Sequence, residues 1–267
     1  NGQEFTGVPP DWKGTRAVIM GAGNYTAAGG ARTSAFIQYK TLDSDADTAD
    51  FGDLLVMRAQ QRGSGSNNTR AVCGGGFSVN NSNVTTQDLD DIDYVTVASV
   101  GTVGDAGDLT TGASQGGQSG ASNGTLCFFV GGGGLDENME QMTISSTSGS
   151  ADAGDLSEDS VGTVTTNGDS KFLVIGMGKD IPAGGKEDID QHNFNTSANT
   201  TDYGNVATVG VGSSAGVSAV NRIVVAGGYI GTPTAYTMGT RMQFFPVASS
   251  ADGDSSDSAD LVVGVMA

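Results

Sequence analysis

Long apolar runs are missing from this sequence. No stretch approaches the ~18 residues that mark a helical membrane span, and the first residues lack the basic and apolar regions of a secretory signal. The chain therefore reads as soluble in the form given, while its start at Asn1 leaves processing, truncation or excision from a longer polypeptide open. Cysteine is scarce: Cys73 and Cys127 both lie in apolar runs, without CxxC spacing. Buried free thiols are the expectation, with a disulfide as the alternative. Histidine occurs once, at His192, with no second histidine or cysteine pair nearby. A hydrolase triad centred on it would need a nucleophile and an acid that the sequence does not locate, so a strand histidine without chemical consequence is expected. Basic residues are also few: 12 against 30 acidic ones, for a net charge of −18 and a pI near 4.1. That balance opposes a nucleic-acid backbone or an anionic membrane and suits solubility in a salty or extracellular setting.

What is abundant is glycine, at 43 of 267 residues, together with Ser, Thr, Asn and Asp. This composition favours many short strands joined by tight turns over long helices. Compact apolar runs such as RAVIM, LCFFV, KFLVI and RIVVA supply a core and argue against a disordered chain.

Those runs belong to a repeat. An apolar segment ending in glycine begins at Arg16, Arg70, Leu126, Lys171 and Arg222, at spacings of 54, 56, 45 and 51 residues. Each is followed by a second strand-like element, from Phe36, Ile92, Met139, Ile189 and Met242. A third element then begins at Ala49, Gly104, Ala151, Thr201 and Ser256. The link between these last two elements holds its length: Leu42 to Asp50, Val97 to Asp105, Ile144 to Asp152 and Phe194 to Asp202 are each eight residues apart, whereas Val247 to Asp257 is ten. Segments of small residues, RGSGS, QGGQSGAS, VGTVTT and GVGSSAGVS, precede the apolar runs and read as innermost strands that let neighbours approach closely. Turn pairs at Asn67 and Asn68, Asn123 and Gly124, and Asn167 and Gly168 connect several of them to the next strand.

A period near 50 residues with four strands per unit predicts an all-β chain, a five-bladed β-propeller with about four antiparallel strands per blade. It would form one domain over 1–267, with blades at about 1–57, 58–111, 112–159, 160–208 and 209–267. Blade one would use strands near Glu4, Arg16, Phe36 and Gly52, and blade five would finish with LVVGVM from Leu261. A register in which the N-terminal strand joins the last blade is the alternative.

Strand direction sorts the loops into two faces. The short hairpins and the acidic links emerge on one; the variable loops after the glycine runs emerge on the other. The variable-loop face carries Tyr25, Phe77, Tyr229 and Tyr236, candidate ligand-binding rings able to stack on a sugar or anchor a protein contact, with packing over the rim as the alternative. The acidic loops from Asp43 and Asp252 place Asp43, Asp45, Asp47, Asp252 and Asp254 at spacings compatible with calcium, though without the glycine and terminal glutamate of an EF-hand. Aspartates bonding their own turn backbones are the favoured reading, so no cofactor is expected and calcium stands as the minority one. GAGNYTAAGG and GGGF lack a following GKS or GKT, so they read as strand ends and not as phosphate loops.

The order of elements, an apolar strand ending in glycines and then a strand with tyrosine as in IDYVTV, resembles the Kelch-type propeller blade. The combination of TRAV, GGG, IDY and GDL resembles more closely the propeller repeats of tail-fibre and other virion proteins of marine bacteriophages, over nearly the whole chain. The match is clearest in the second unit; Leu126 stands where that unit has Arg70, and Asn205 where it has Asp108. The resemblance implies a non-enzymatic structural or adhesive protein at the virion surface. Its partners would be other virion proteins or a host-surface glycan or protein, with no nucleic acid and no membrane insertion. A carbohydrate-binding, lectin-like propeller of cellular origin and extracellular location is the alternative. A propeller enzyme acting through paired carboxylates is the weakest reading, because no isolated acidic pair stands out.

Overall fold

The repeat becomes a series of antiparallel sheets. The computed structural model describes residues 15–21, 24–25, 31–32, 34–58, 63–79, 86–101, 103–113, 119–132, 136–158, 163–166, 170–175, 188–206, 215–219, 222–226, 229–232, 235–238, 240–246 and 256–261. Among them the secondary structure is entirely strand and turn, without a helix.

The first sheet joins β1 (Arg16–Met20), β4 (Ser34–Thr41) and β5 (Ala49–Arg58), with the small hairpin of β2 (Asn24–Tyr25) and β3 (Ala31–Arg32) inserted after β1. The second runs β6 (Gly63–Ser66), β7 (Arg70–Gly74), β9 (Thr86–Thr96), β10 (Val103–Ala113), and β8 (Phe77–Val79) pairs with β9 as well. The third runs β11 (Ser119–Ser122), β12 (Leu126–Gly132), β13 (Asp136–Thr143), β14 (Ala151–Asp155). The fourth runs β15 (Thr163–Thr166), β16 (Lys171–Ile175), β17 (Asp188–Asn193), β18 (Thr201–Asn205). The fifth runs β19 (Ala215–Ala219), β20 (Arg222–Ala226), β23 (Arg241–Pro246), β24 (Ser256–Asp260), with a second inserted hairpin of β21 (Tyr229–Thr232) and β22 (Ala235–Met238).

Four sheets contain the expected order of four antiparallel strands, and the first shows three of its expected four. The anticipated strand near Glu4 and most of LVVGVM lie outside the described residues, and the last strand of the fifth sheet is Ser256–Asp260, before Leu261. Strands β5 and β10 continue to Arg58 and Ala113, past the expected boundaries at 57 and 111.

The chain divides into two compact units, one mainly from Val130–Met139 and Ala153–Ala267, the other from Pro10–Phe129 and Glu140–Asp152. In the second of these, Val72, Ile92, Leu109, Cys127, Phe129 and Ile144 form one core cluster, and Ile37, Phe51, Leu54, Cys73 and Val95 another. In the first, Leu173, Ile175, Ile189, Tyr203, Val206, Ile223 and Val225 pack together. Burying each such side chain contributes roughly 1.5–3 kcal/mol, which is why the apolar runs occupy the interior strands β7, β12, β16 and β20.

Small residues act as the spacing predicts. β6 (GSGS) and β11 (SGAS) lie side by side, as do β15 and β19. A side chain at Gly120 would meet the Ser64 carbonyl at 2.5 Å, so the close approach of these two strands requires glycine there.

The fixed eight-residue link has a structural cause. In the third element, an aspartate oxygen accepts the N–H two residues on: Asp50 from Gly52 (3.1 Å), Asp105 from Gly107 (2.6 Å) and Asp202 from Gly204 (2.9 Å). The glycine sits at positive φ, 91° for Gly107 and 103° for Gly154, and the ladder shifts register beside Gly52, Gly107 and Gly204 as a bulge does. The turn of the next sheet docks on this bulge. Gly101 N–H donates to Phe51 O (2.6 Å), Gly149 N–H to Ala106 O (2.9 Å) and, in the other unit, Thr200 N–H to Asp155 O (2.9 Å). A turn of different length would miss its acceptor.

Candidate interaction site

The connection that leaves the apolar strand carries most of the variation among sheets. In the first sheet it holds the β2–β3 hairpin, where Tyr25 pairs with Ala31; in the fifth it holds β21–β22, where Tyr229 pairs with Met238 and Tyr236 with Gly231. Tyr25, Tyr229 and Tyr236 thus stand on inserted hairpins, while the placement of their rings lies outside the described structure. Phe77 is a correction: it is buried, at 6% exposure. Gly75 and Gly76, at φ 65° and 97°, turn the chain so that β8 pairs back onto β9, with Phe77 opposite Asp88, and this draws the ring inward.

The first acidic loop behaves as a solvated turn. Asp43, Asp45 and Asp47 are exposed; Ser44 Oγ accepts the Ala46 N–H (3.1 Å), and the Lys40 ammonium donates to the Ala46 carbonyl. Asp252 and Asp254 lie outside the described residues. Among the described residues no three His, Cys, Asp or Glu side chains gather as a metal site.

Sequence reasoning missed a set of buried polar groups on the third strand of the sheets. Asp93, Glu140, Asp190 and Gln243 are each at most 4% exposed and each directly follow an apolar residue, in ID, ME, ID and MQ. Each carboxylate fastens the last strand of the preceding sheet or the residues just beyond it. Arg58, at the end of β5, pairs with Asp93 at 3.0 Å and also donates to the carbonyls of Gly75 (3.1 Å) and Asp91 (2.8 Å). Thr110 N–H donates to Glu140 at 2.7 Å. Ser157 donates to Asp190 from both its N–H and hydroxyl, each at 2.9 Å. The hydroxyls of Ser150 and Thr200 close on Glu140 and Asp190 from within the same sheet. Burial raises the Asp93 carboxyl above the usual aspartate range, and the Arg58 guanidinium opposes that rise. The common register of ID, ME, ID and MQ was the available signal.

A cationic staple recurs at the start of the apolar strand. The Arg16 guanidinium lies 4.7 Å from the Tyr39 ring centroid and donates to Val97 O (3.0 Å); Arg70 lies 4.1 Å over Tyr94 and donates to Ser145 O (3.0 Å) and Ser146 O (3.3 Å). Each thereby ties its sheet to the turn of the next, and Lys171 over Tyr203 (5.1 Å) keeps the ring contact in the fourth sheet.

His192 is 3% exposed on β17, its Nε2 3.1 Å from the Thr196 carbonyl and its ring against Phe172. Burial lowers its pKa, which suits a neutral packing residue. Both cysteines are free and buried, as expected; burial pushes the Cys73 thiol up to about 12 and raises Cys127 likewise.

No protein-family model matches the sequence, and no curated protein does so either. Among solved structures, one described as "Structure of YjhT" is similar in fold, with a TM-score of 0.70 over 98% of this chain and 88% of that one at 11% identity.

Proposed function

We propose that the five sheets are the blades of a Kelch-like β-propeller, and that the chain is a non-enzymatic virion protein displaying loops to a host surface or to neighbouring virion proteins. Small-residue edge strands lying side by side, one antiparallel sheet per repeat and the bulge-and-turn docking support the propeller. The observation that carries the display role is the placement of β2–β3 and β21–β22. Both hairpins are inserted at the same point of the repeat, while four of the five links at the opposite strand ends keep one length and three of them dock on the preceding sheet by backbone bonds. Such a scaffold holds loops with little ordering cost on binding.

Cryo-electron microscopy of the native particle tests this. The reading expects the disc attached to a capsid or tail with the hairpin face free. A separate soluble protein would reject the virion role and favour the lectin-like reading, which glycan-array binding then examines.

A further inference from the structure

One rung of the second sheet is unlike its counterparts. Where the outermost strand of a sheet meets its neighbour, Phe36 stands opposite Asp53, Asp188 opposite Asn205 and Arg241 opposite Asp260, and the third sheet has Asn138 and Asp155 at the equivalent positions of the repeat. In the second sheet both partners are acidic: Asp91 on β9 stands opposite Asp108 on β10. Like charges directly across an antiparallel pair repel and weaken it.

The surroundings deepen this repulsion. Loss of water, and then the charges of Asp90, Asp91 and Asp105, raise the Asp108 carboxyl above the ordinary aspartate range. Asp105 itself stands opposite Asp93. The Arg58 guanidinium is committed to Asp93 and to the Gly75 and Asp91 carbonyls, and among the described residues no basic side chain pairs with Asp90, Asp91, Asp105 or Asp108.

The same stretch of β10 seats the third sheet. Ala106 O accepts the Gly149 N–H (2.9 Å), Asp108 O accepts the Ser150 N–H (3.0 Å), and the Thr110 N–H donates to the Glu140 carboxylate on β13 (2.7 Å). The acidic rung therefore sits in the middle of the joint, and a movement of β10 away from β9 at Asp108 would disturb all three bonds.

From this juxtaposition we infer that β10 is a latch sensitive to ionic strength: salt screens the Asp91–Asp108 rung and keeps the second sheet closed on the third, and dilution loosens that joint. Screening has the reach required, since the Debye length falls from about 30 Å at 0.01 M to about 3 Å at 1 M. The joint between the third and fourth sheets, where the Thr200 N–H docks on Asp155 O and the rung carries Asn138 in place of Asp91, lacks the opposed pair and stays closed in both media.

Amide-resolved hydrogen exchange of the full chain by NMR, at about 0.01 M and about 1 M NaCl, tests the inference. The Thr110, Gly149 and Ser150 amides should exchange at least about threefold faster in the dilute medium, while the Thr200 amide changes by less than about 1.5-fold. Asp108→Asn, at an exposed position, copies Asn205 of the fourth sheet, and Asp91→Asn copies Asn138 of the third; each should abolish the salt response of the three amides. No salt response at these amides, an equal response at Thr200, or a response that persists in both variants would each overturn the latch.

Discussion

Replacing Arg58 with methionine isolates the energetics of the buried polar ladder. The guanidinium is fully buried; it serves Asp93 at 3.0 Å and the carbonyls of Gly75 and Asp91, while its Nε lacks a partner among the described residues. Methionine fills similar space but leaves a buried carboxylate alone. Removing one partner of such a pair costs about 3–5 kcal/mol. The loss should depend on pH, because burial already raises the Asp93 pKa above 3.8 and Arg58 is what restrains it. A carboxyl with a raised folded pKa contributes stability that is full below its unfolded value and is lost as pH rises through the folded one. Without Arg58 the folded value climbs further, so the variant carries its largest penalty at neutral pH and recovers as the medium is acidified towards the aspartate range. Urea unfolding of wild type and Arg58→Met at pH 7 and near pH 4.5 reads the difference directly. Adding Asp93→Asn should restore part of the loss at pH 7. An equal difference at both pH values, or one below about 1 kcal/mol at pH 7, would refute this account.

Other consequences are simpler to measure. Gly154→Ala places a Cβ 2.5 Å from the Ala198 carbonyl group at a φ of 103°, and should destabilise the protein by at least about 1–3 kcal/mol in chemical denaturation. His192 has a lowered folded pKa, so its contribution is full above the ordinary value of 6.5 and is lost as pH falls through the folded one; His192→Gln should flatten that acid limb in a melting-versus-pH series. Cys73 and Cys127 should resist a thiol reagent at pH 8 in the native protein and react fully in denaturant. A chelator should leave the melting temperature unchanged, since the described aspartates at Asp50, Asp105 and Asp202 bond their own turns; a clear drop would instead establish calcium.

The sheets were legible because burial and backbone geometry write themselves locally. Runs such as KFLVI must be covered, and the eight-residue links keep their length because the Gly101 and Gly149 amides must reach particular carbonyls. Asn67 and Asn123 announced their hairpins by chemistry that acts within three residues, each side-chain oxygen accepting the two N–H groups that follow at 2.7–3.0 Å. Phe77 and the carboxylate ladder were less legible for the opposite reason. The fate of Phe77 is set by two left-handed glycines that fold β8 back, and Asp93 looks solvent-facing until Arg58, 35 residues earlier, is placed against it.

The bulge-and-turn contact also has a direction. Phe51 precedes Gly101, Ala106 precedes Gly149, and Asp155 precedes Thr200, so at each described joint the acceptor comes earlier in the chain than the donor that docks on it. On a ribosome, each of these three turns would emerge to find its seat already made. Synthesis from the N-terminus therefore leaves none of these three turns waiting for its acceptor, whereas a circular permutant opened at one of these joints would reverse that order there.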